Sequence, residues 1–486
     1  MFKNINCKNL PSLRRNIVYQ FLYELLIVFI PLFTIPYVSR VLGAENIGLF
    51  SYTYAVANYF VLFANLGIKN YGSRTIAMVR NNKEELNRNF SEILSIHIIF
   101  SIIVIFVYLV LLFFFVEDNL VIFLIQSIYV FAAVFDINWF FFGIEKFKLT
   151  VGRNTLVKMS VFLVLVFVKT QTDLWIYALI LALSVFVGQS VVWFALKQYV
   201  SWRRPSWANM KQHIRPLFVL FLPILALSLY KYMDKIMLGS ISSNVQVGFY
   251  ENAEKIINVP MSLIMAFGVV LMPRIANMVT SKDKGEVFKL IDMSMEAVML
   301  LAIAISFGLA GISFVLAPIF FGYEFEECGI LIMGLAVTVP FMAFANVIRT
   351  QYLIPYKEDK IFVVSLFLGA AVNLIVNIIL IPYMAARGAV IGTIFAEIIV
   401  CIYQSYFVRK KIFIKKYLLN TIPPILIGIV MFVFVFQIGN VMNINIVTLI
   451  LQLLVGMFIY AVGVFLLMLK SRTRLMVLLR KFVVRY

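Results

Sequence analysis

Between residues 230 and 255 the chain sets six ionisable side chains among residues otherwise fit for lipid. Lys231, Asp234 and Lys235 lie in YKYMDKIMLG, directly after LFVLFLPILALSL, and Glu251, Glu254 and Lys255 lie in YENAEKI. On a helix Lys231 and Lys235 are one turn apart and Asp234 is three residues from Lys231, so the three share a face, as do Glu251 and Lys255. A short polar turn, GSISSN, joins the two segments, which lets the charged faces meet. Ionisable groups at bilayer depth are costly and generally face one another or a water-filled cavity. The chemistry they offer is binding: fixed ammonium groups for an anion, and carboxylates for a proton or a metal cation. The plainer reading is that they are ion pairs that lock helices together, or interfacial groups that snorkel.

The same two readings apply elsewhere in the chain. Arg40, at the outer end of the first apolar run, and Lys158 join Lys231, Lys235 and Lys255 as candidate substrate-binding cations. Asp136 and Glu397 join Asp234, Glu251 and Glu254 as candidate ion-coupling or cavity carboxylates. Asp136 and Lys158 could equally neutralise each other. Glu24 and Glu296 are weaker candidates of the same type, and Asn373 and Asn377, spaced i,i+4, form a further polar face. His97 and His213 are isolated, and Cys7, Cys328 and Cys401 are scattered without ligand spacing. No GxxxxGK[ST] phosphate loop occurs. The expectation is therefore no metal, no cofactor, no ATP hydrolysis and no catalytic residues.

The elements that carry these groups must be membrane helices. Hydrophobic residues are 63% of the 486 positions and charged residues 13%, with a mean hydropathy of +0.98; soluble domains are near half apolar and a quarter charged. About 20 apolar residues make a crossing, and the chain offers fourteen such stretches, beginning with 16–39 and 47–67 and ending with 418–438 and 445–469. The fourth is 120–143, and the fifth, 153–169, is short. With the N-terminus cytoplasmic, 35 of the 42 Lys and Arg residues fall on inside segments, as the positive-inside rule requires. The net charge of +19 then faces anionic lipid headgroups, and nucleic acid is excluded as a partner. Residues 1–16 are polar and basic before the first apolar run, which reads as an uncleaved signal anchor. The expected location is the cell membrane, with many passes and both termini cytoplasmic.

A repeat divides the chain. At an offset of 200 residues, IGLF (47–50) aligns with VGFY (247–250), and Gly48, Asn58, Arg74, Met78 and Val79 meet identical residues. Six spans separate the copies, so both halves have the same orientation. The expected architecture is an all-α polytopic membrane protein of about 14 transmembrane helices. Two pseudo-symmetric parallel six-helix lobes occupy 1–200 and 201–412, and two C-terminal helices with a basic cytoplasmic tail occupy 413–486. Parallel lobes suit alternating access through a central cavity.

Several segments resemble one family. SRVLGAENIGLFSY (39–52), ANLGIKNYGSRTIA (64–77), NNKEELNRNF (81–90), FDINWFFFGIEKFK (135–148), RNTLVK (153–158), KTQTDLWIYALI (169–180), YKYMDKIMLG and VGFYENAEKI are similar to the corresponding parts of Wzx-type polysaccharide flippases. These belong to the multidrug/oligosaccharidyl-lipid/polysaccharide exporter superfamily. The resemblance covers the first twelve spans, and the last two match by hydropathy alone. It implies a substrate, an oligosaccharide repeat unit on undecaprenyl diphosphate, flipped from the cytoplasmic to the outer leaflet. In such flippases a cationic cavity receives the diphosphate and sugars while the lipid tail stays in a groove. Arg40 and the lysines of YKYMDK stand where those cations are expected, although the acidic residues of YENAEK make the cavity less purely cationic. The partners implied are that lipid-linked oligosaccharide, the surrounding membrane lipids, and the polysaccharide polymerase and glycosyltransferases of the same pathway.

Three other functions compete. A cation-coupled drug exporter of the superfamily should have twelve spans and a cavity richer in carboxylates. A lipid II flippase is a further relative. A membrane polysaccharide polymerase, an enzyme, should carry a long outer loop with arginines and histidine, and no outside loop here exceeds about a dozen residues.

Overall fold

The computed structural model describes residues 13–280 and 284–470, with most side chains described from Phe33 onward. Cys7, the Glu24 side chain and the basic tail beyond Lys470 lie outside the described residues. All regular structure among the described residues is helical, the one arrangement besides a closed barrel that satisfies backbone polar groups in lipid.

The helices form two compact units. One comprises the described residues up to Leu42 together with Phe63–Ile214; the other comprises Gly43–Leu62 and the chain from Arg215 onward. In chain order the first helices are α1 (Leu13–Asn65), α2 (Ile68–Val79), α3 (Lys83–Phe115), α4 (Leu120–Val134), α5 (Asn138–Gly143), α6 (Phe147–Met159), α7 (Val161–Phe167) and α8 (Leu174–Leu196). They are followed by α9 (Trp207–Ile241), α10 (Asn244–Thr280), α11 (Lys284–Phe321), α12 (Cys328–Ala336), α13 (Thr338–Ile348), α14 (Asp359–Met384), α15 (Ala386–Val408), α16 (Ile414–Val441) and α17 (Ile446–Lys470).

Twelve helical stretches among the described residues are long and apolar enough to cross a bilayer. α1 alone has 53 residues, about 80 Å at the helical rise and far more than a hydrocarbon core of about 30 Å. It breaks at Gly43, whose φ of 78° and ψ of 171° are open to glycine without strain, and each limb is long enough to cross. The outside loop expected between spans one and two is thus a single broken residue inside a helical run. The short fifth span is two helices, α6 and α7, that meet at Ser160. Counting both, the chain is an all-α polytopic protein of about 14 transmembrane helices. The fourth span also breaks: α4 stops at Val134, and α5 restarts at Asn138. There the Asp136 carboxylate accepts from the Asn138 backbone N–H at 3.1 Å, a side-chain acceptor in place of a helical carbonyl.

In the first unit the core is aromatic. Phe90 stacks on Trp139 at 5.6 Å and meets Phe140 edge-on at 4.9 Å, and Gly72 lets α2 approach Trp139 so closely that a Cβ would lie 2.5 Å from the indole. His213 is buried: its Nε2 lies 3.0 Å from Glu92 Oε2 and its Nδ1 2.6 Å from the Tyr71 hydroxyl. In the second unit Ile312, Met431 and Val435 join α11 to α16. Outward faces stay apolar, as at Phe113, Phe114 and Phe115, which suits lipid rather than water.

Candidate functional site

The charged residues of α9 and α10 form one connected cluster in the second unit. These helices follow each other across the turn at 242–243, so their adjoining ends run side by side. Lys235 Nζ lies 2.6 Å from Glu251 Oε2 and 2.8 Å from Glu254 Oε2, and Lys255 Nζ lies 3.2 Å from Glu251 Oε1. Lys235 is 8% exposed; two carboxylates close on it, and hydrogen-bonded opposite charges are what make such burial tolerable.

Asp234 has a different set of partners. Its Oδ2 accepts from the Tyr250 hydroxyl at 2.6 Å and from Thr393 Oγ1 at 3.0 Å, and its Oδ1 accepts from Asn377 Nδ2 at 2.5 Å. Asn377 Nδ2 also lies 3.2 Å from Asn373 Oδ1, so the polar face of α14 is spent on this centre. Gly392 makes room for it: a Cβ there would sit 2.1 Å from Asn377 Oδ1. That oxygen is buried and takes no hydrogen bond among the described residues. Asp234, Asn373, Asn377 and Thr393 thus bring oxygen atoms from three helices together, the donor type that hard cations prefer.

Lys231 differs from its neighbours. It is exposed, its ammonium sits 5.2 Å from the centre of the Tyr232 ring, and no ion pair reaches it among the described residues. Tyr59 packs edge-on against Tyr232 at 6.0 Å, and Tyr54 is within electrostatic reach of both Lys231 and Lys235. Lys235 and Lys255 pair with Glu251 and Glu254, two cations to two carboxylates, and the exposed Lys231 lies beside the Tyr232 ring.

Glu397 lies on α15 one turn beyond Thr393, buried, and is the carboxylate that acts electrostatically on Arg349. Arg349 opens the π-helical turn Arg349–Leu353 and donates to Asn346 Oδ1 at 2.6 Å. The remaining candidates lie in the first unit. Arg40 is exposed on α1 three residues before the Gly43 break, Lys158 is half-buried in the last turn of α6, and Asp136 bonds to Asn138 at the α4–α5 break.

Sequence reasoning missed the tyrosines and Thr393. Tyr250 sits one residue before Glu251 in the charged segment, a signal in plain view; Thr393 had none, since 159 residues separate it from Asp234.

An apolar cavity of about 500 Å³ opens in the same unit between α10, α11, α16 and α17, with Pro260, Gly308, Ile312, Met431, Gly456 and Tyr460 in its wall. That volume is ordinary for a small-molecule site.

Comparison with known proteins agrees with this architecture. The model of the family described as "Polysaccharide biosynthesis protein" matches residues 13–279. The chain is 24% identical over 408 residues to a putative O-antigen transporter of Shigella dysenteriae, covering 81% of this chain and 99% of the relative. It is 26% identical over 411 residues to a putative O-antigen transporter of Escherichia coli (strain K12), covering 83% and 98%. Among solved structures it superposes on the lipid II flippase MurJ in an inward closed conformation with a TM-score of 0.71, at 16% identity, over 91% of this chain and 98% of that one. The chain belongs to the polysaccharide biosynthesis protein family, the Wzx-type branch of the multidrug/oligosaccharidyl-lipid/polysaccharide exporter superfamily.

Proposed function

We propose that this protein flips an oligosaccharide carried on undecaprenyl diphosphate from the cytoplasmic to the outer leaflet of the cell membrane, with both termini cytoplasmic, by alternating access. The observation that carries the reading is the pairing of a polar and an apolar site along one helix. α10 brings Lys255 to the charged cluster and Pro260 to the wall of the apolar cavity; five residues of helix separate them by about 7.5 Å. A substrate with an anionic head on a long hydrocarbon chain fits that spacing. Lys231 and Lys255 are the cations we assign to the diphosphate, with Lys235 holding the cluster together, and the tyrosine rings near Lys231 offer flat faces for sugars. Arg40 and Lys158 are assigned to the same cargo from the first unit. Asp234, with its shell of oxygen atoms, is the carboxylate we assign to ion coupling; Asp136, Glu251, Glu254 and Glu397 are its alternates. The protein performs no covalent step in this reading, and its pathway partners are the glycosyltransferases that build the repeat unit and the polymerase that consumes it.

A strain lacking the protein tests the assignment. Repeat units are expected to accumulate on the cytoplasmic leaflet of such a strain; accumulation on the outer leaflet alone would mark the protein as a polymerase instead.

A further inference from the structure

The break between α4 and α5, in the first unit, gathers oxygen atoms at membrane depth. Asp136 and Gln189 each lie seven residues before the end of their apolar stretch, at Gly143 and Leu196, about 10 Å into the span. Asp136 Oδ1 accepts from the backbone N–H and the side-chain amide of Asn138, at 3.1 and 2.6 Å, and the same amide donates to Gln189 Oε1 on α8 at 2.8 Å. Two acceptors on its nitrogen fix how the Asn138 amide faces, so Oδ1 is the atom left over. Asn138 is 6% exposed, and its Oδ1 is buried without a hydrogen-bond partner among the described residues. The nitrogen and oxygen of a planar amide are about 2.3 Å apart, which puts this oxygen within about 5 Å of Asp136 Oδ1.

Other oxygens of the same stretch are unmet too. Asp136 Oδ2 has neither a hydrogen bond nor an ion pair among the described residues. In an unbroken helix the Asn138 N–H would bond the Val134 carbonyl. Here it is spent on Asp136 Oδ1, and among the described residues no backbone N–H reaches the carbonyl of Val134 or of Asp136. A carboxylate at this depth is costly without a positive partner, and an unsatisfied buried polar atom calls for a water or an ion. The unmet atoms of residues 134–138 are all acceptors, which selects a positive ligand. A proton serves at most two of them, Asp136 Oδ2 and Asn138 Oδ1, whereas a cation draws on all four and completes its shell with water. Hard cations take oxygen ligands at about 2.3–2.6 Å, so two ligands across one ion stand about 5 Å apart, within the reach of the Asn138 amide. One carboxylate cancels one positive charge, and among the described residues no group of three His, Cys, Asp or Glu side chains could hold a metal. One carboxylate with carbonyl oxygens therefore suits a hard monovalent ion better than a transition metal.

We propose that the α4–α5 break is a sodium-binding site of the first unit. Its oxygen donors are Asp136 Oδ2, Asn138 Oδ1 and the carbonyls of Val134 and Asp136, and Gln189 holds the Asn138 amide in place. Broken membrane helices supply carbonyls to ions in this way, because the break frees them from the helical ladder. The site goes beyond the coupling role read for Asp234, which lies in the second unit, and it does not depend on the cargo.

Tryptophan emission of the full chain in lipid nanodiscs tests it. All five tryptophans, Trp139, Trp175, Trp193, Trp202 and Trp207, lie in the first unit, and Trp193 donates to the Phe135 carbonyl at the break at 2.9 Å. Sodium chloride is expected to change the emission saturably, and choline chloride at the same ionic strength to leave it unchanged. Asp136→Asn is expected to raise the sodium concentration at half-response at least about tenfold, since it removes the one charged ligand. Asp234→Asn is expected to keep the response and to bind sodium-22, with that binding lost on adding Asp136→Asn. An unmodified chain whose emission ignores sodium overturns the proposal without any variant; if that emission follows pH instead, the break is a proton site. A sodium response that survives Asp136→Asn, or that vanishes in Asp234→Asn, overturns it as well.

Discussion

Lys231 and Lys235 stand one turn apart on α9 in opposite environments, and their substitution should separate binding from folding. Lys235 is buried between Glu251 and Glu254. Lys235→Ala leaves Glu254 without its cation and Glu251 with Lys255 alone, and breaking a buried pair from one side destabilises by about 3–5 kcal/mol. Lys231 is exposed and holds no ion pair among the described residues, so its loss leaves packing intact. We expect Lys231→Ala to keep normal membrane abundance while polysaccharide export falls at least about tenfold, an energy change near 1.4 kcal/mol. Lys235→Ala should lower abundance itself. Immunoblots of membrane fractions beside an export assay read both; equal abundance for the two variants would refute the division of labour. Much of this cluster was legible in the sequence, because i,i+4 spacing fixes which residues of one helix share a face. The direction of each side chain was not. Asp234 and Lys235 are adjacent in the chain yet bind different partners, and two of the three partners of Asp234, Asn377 and Thr393, arrive from α14 and α15, more than 140 residues away.

At the scale of elements, the internal repeat has a physical counterpart. Gly48 and Gly248, aligned by the offset of 200 residues, lie against each other where α1 crosses α10. A Cβ on Gly48 would stand 1.6 Å from the Asn244 carbonyl oxygen, and one on Gly248 would stand 2.1 Å from that of Ala44. Both obstacles are backbone, so no side chain can rotate away. Small residues permit close backbone approach between membrane helices, and either Gly→Ala change must push the helices apart, for about 1–3 kcal/mol as overpacking goes. Thermal unfolding in detergent should show Gly248→Ala melting earlier than the parent, with Gly285→Ala unchanged, since a Cβ at Gly285 meets nothing within 4 Å. Coincident melting curves for Gly248→Ala and the parent would remove the crossing as a stabilising contact. The sequence marked these glycines as equivalent but could not reveal that they touch, because contact depends on the tertiary path of α1 after Gly43. Hydropathy located the spans for the same reason that it missed their breaks. It averages over a turn or more, whereas the breaks at Gly43, Asp136 and Ser160 each depend on one or two residues.

At the scale of the whole molecule, the cation bias of the loops, the balanced charge cluster and the apolar cavity each answer one part of an amphiphile. In the proposed function the loops attract anionic lipid surfaces, the cluster would receive a charged head, and the cavity would receive a chain. If the cavity holds hydrocarbon, filling it should stop transport without harming the fold. Gly308 on α11 is the position from which to fill it: it lines the cavity, and a Cβ there meets only the Met431 methyl at 3.8 Å. Gly308→Ala should therefore be tolerated in both abundance and export. Gly308→Leu projects a branched side chain into the space and should cut export at least about tenfold at unchanged abundance, since a ligand excluded from its apolar pocket forfeits burial worth about 25 cal/mol per Å². The same variant should leave binding of a soluble sugar diphosphate, which lacks a chain, at the parental level in calorimetry on the detergent-solubilised protein. Export undiminished in Gly308→Leu would detach the cavity from the substrate path. Loss of export together with loss of sugar-diphosphate binding would show that the substitution had distorted the charged cluster on α10 and not merely occupied the space beside Pro260.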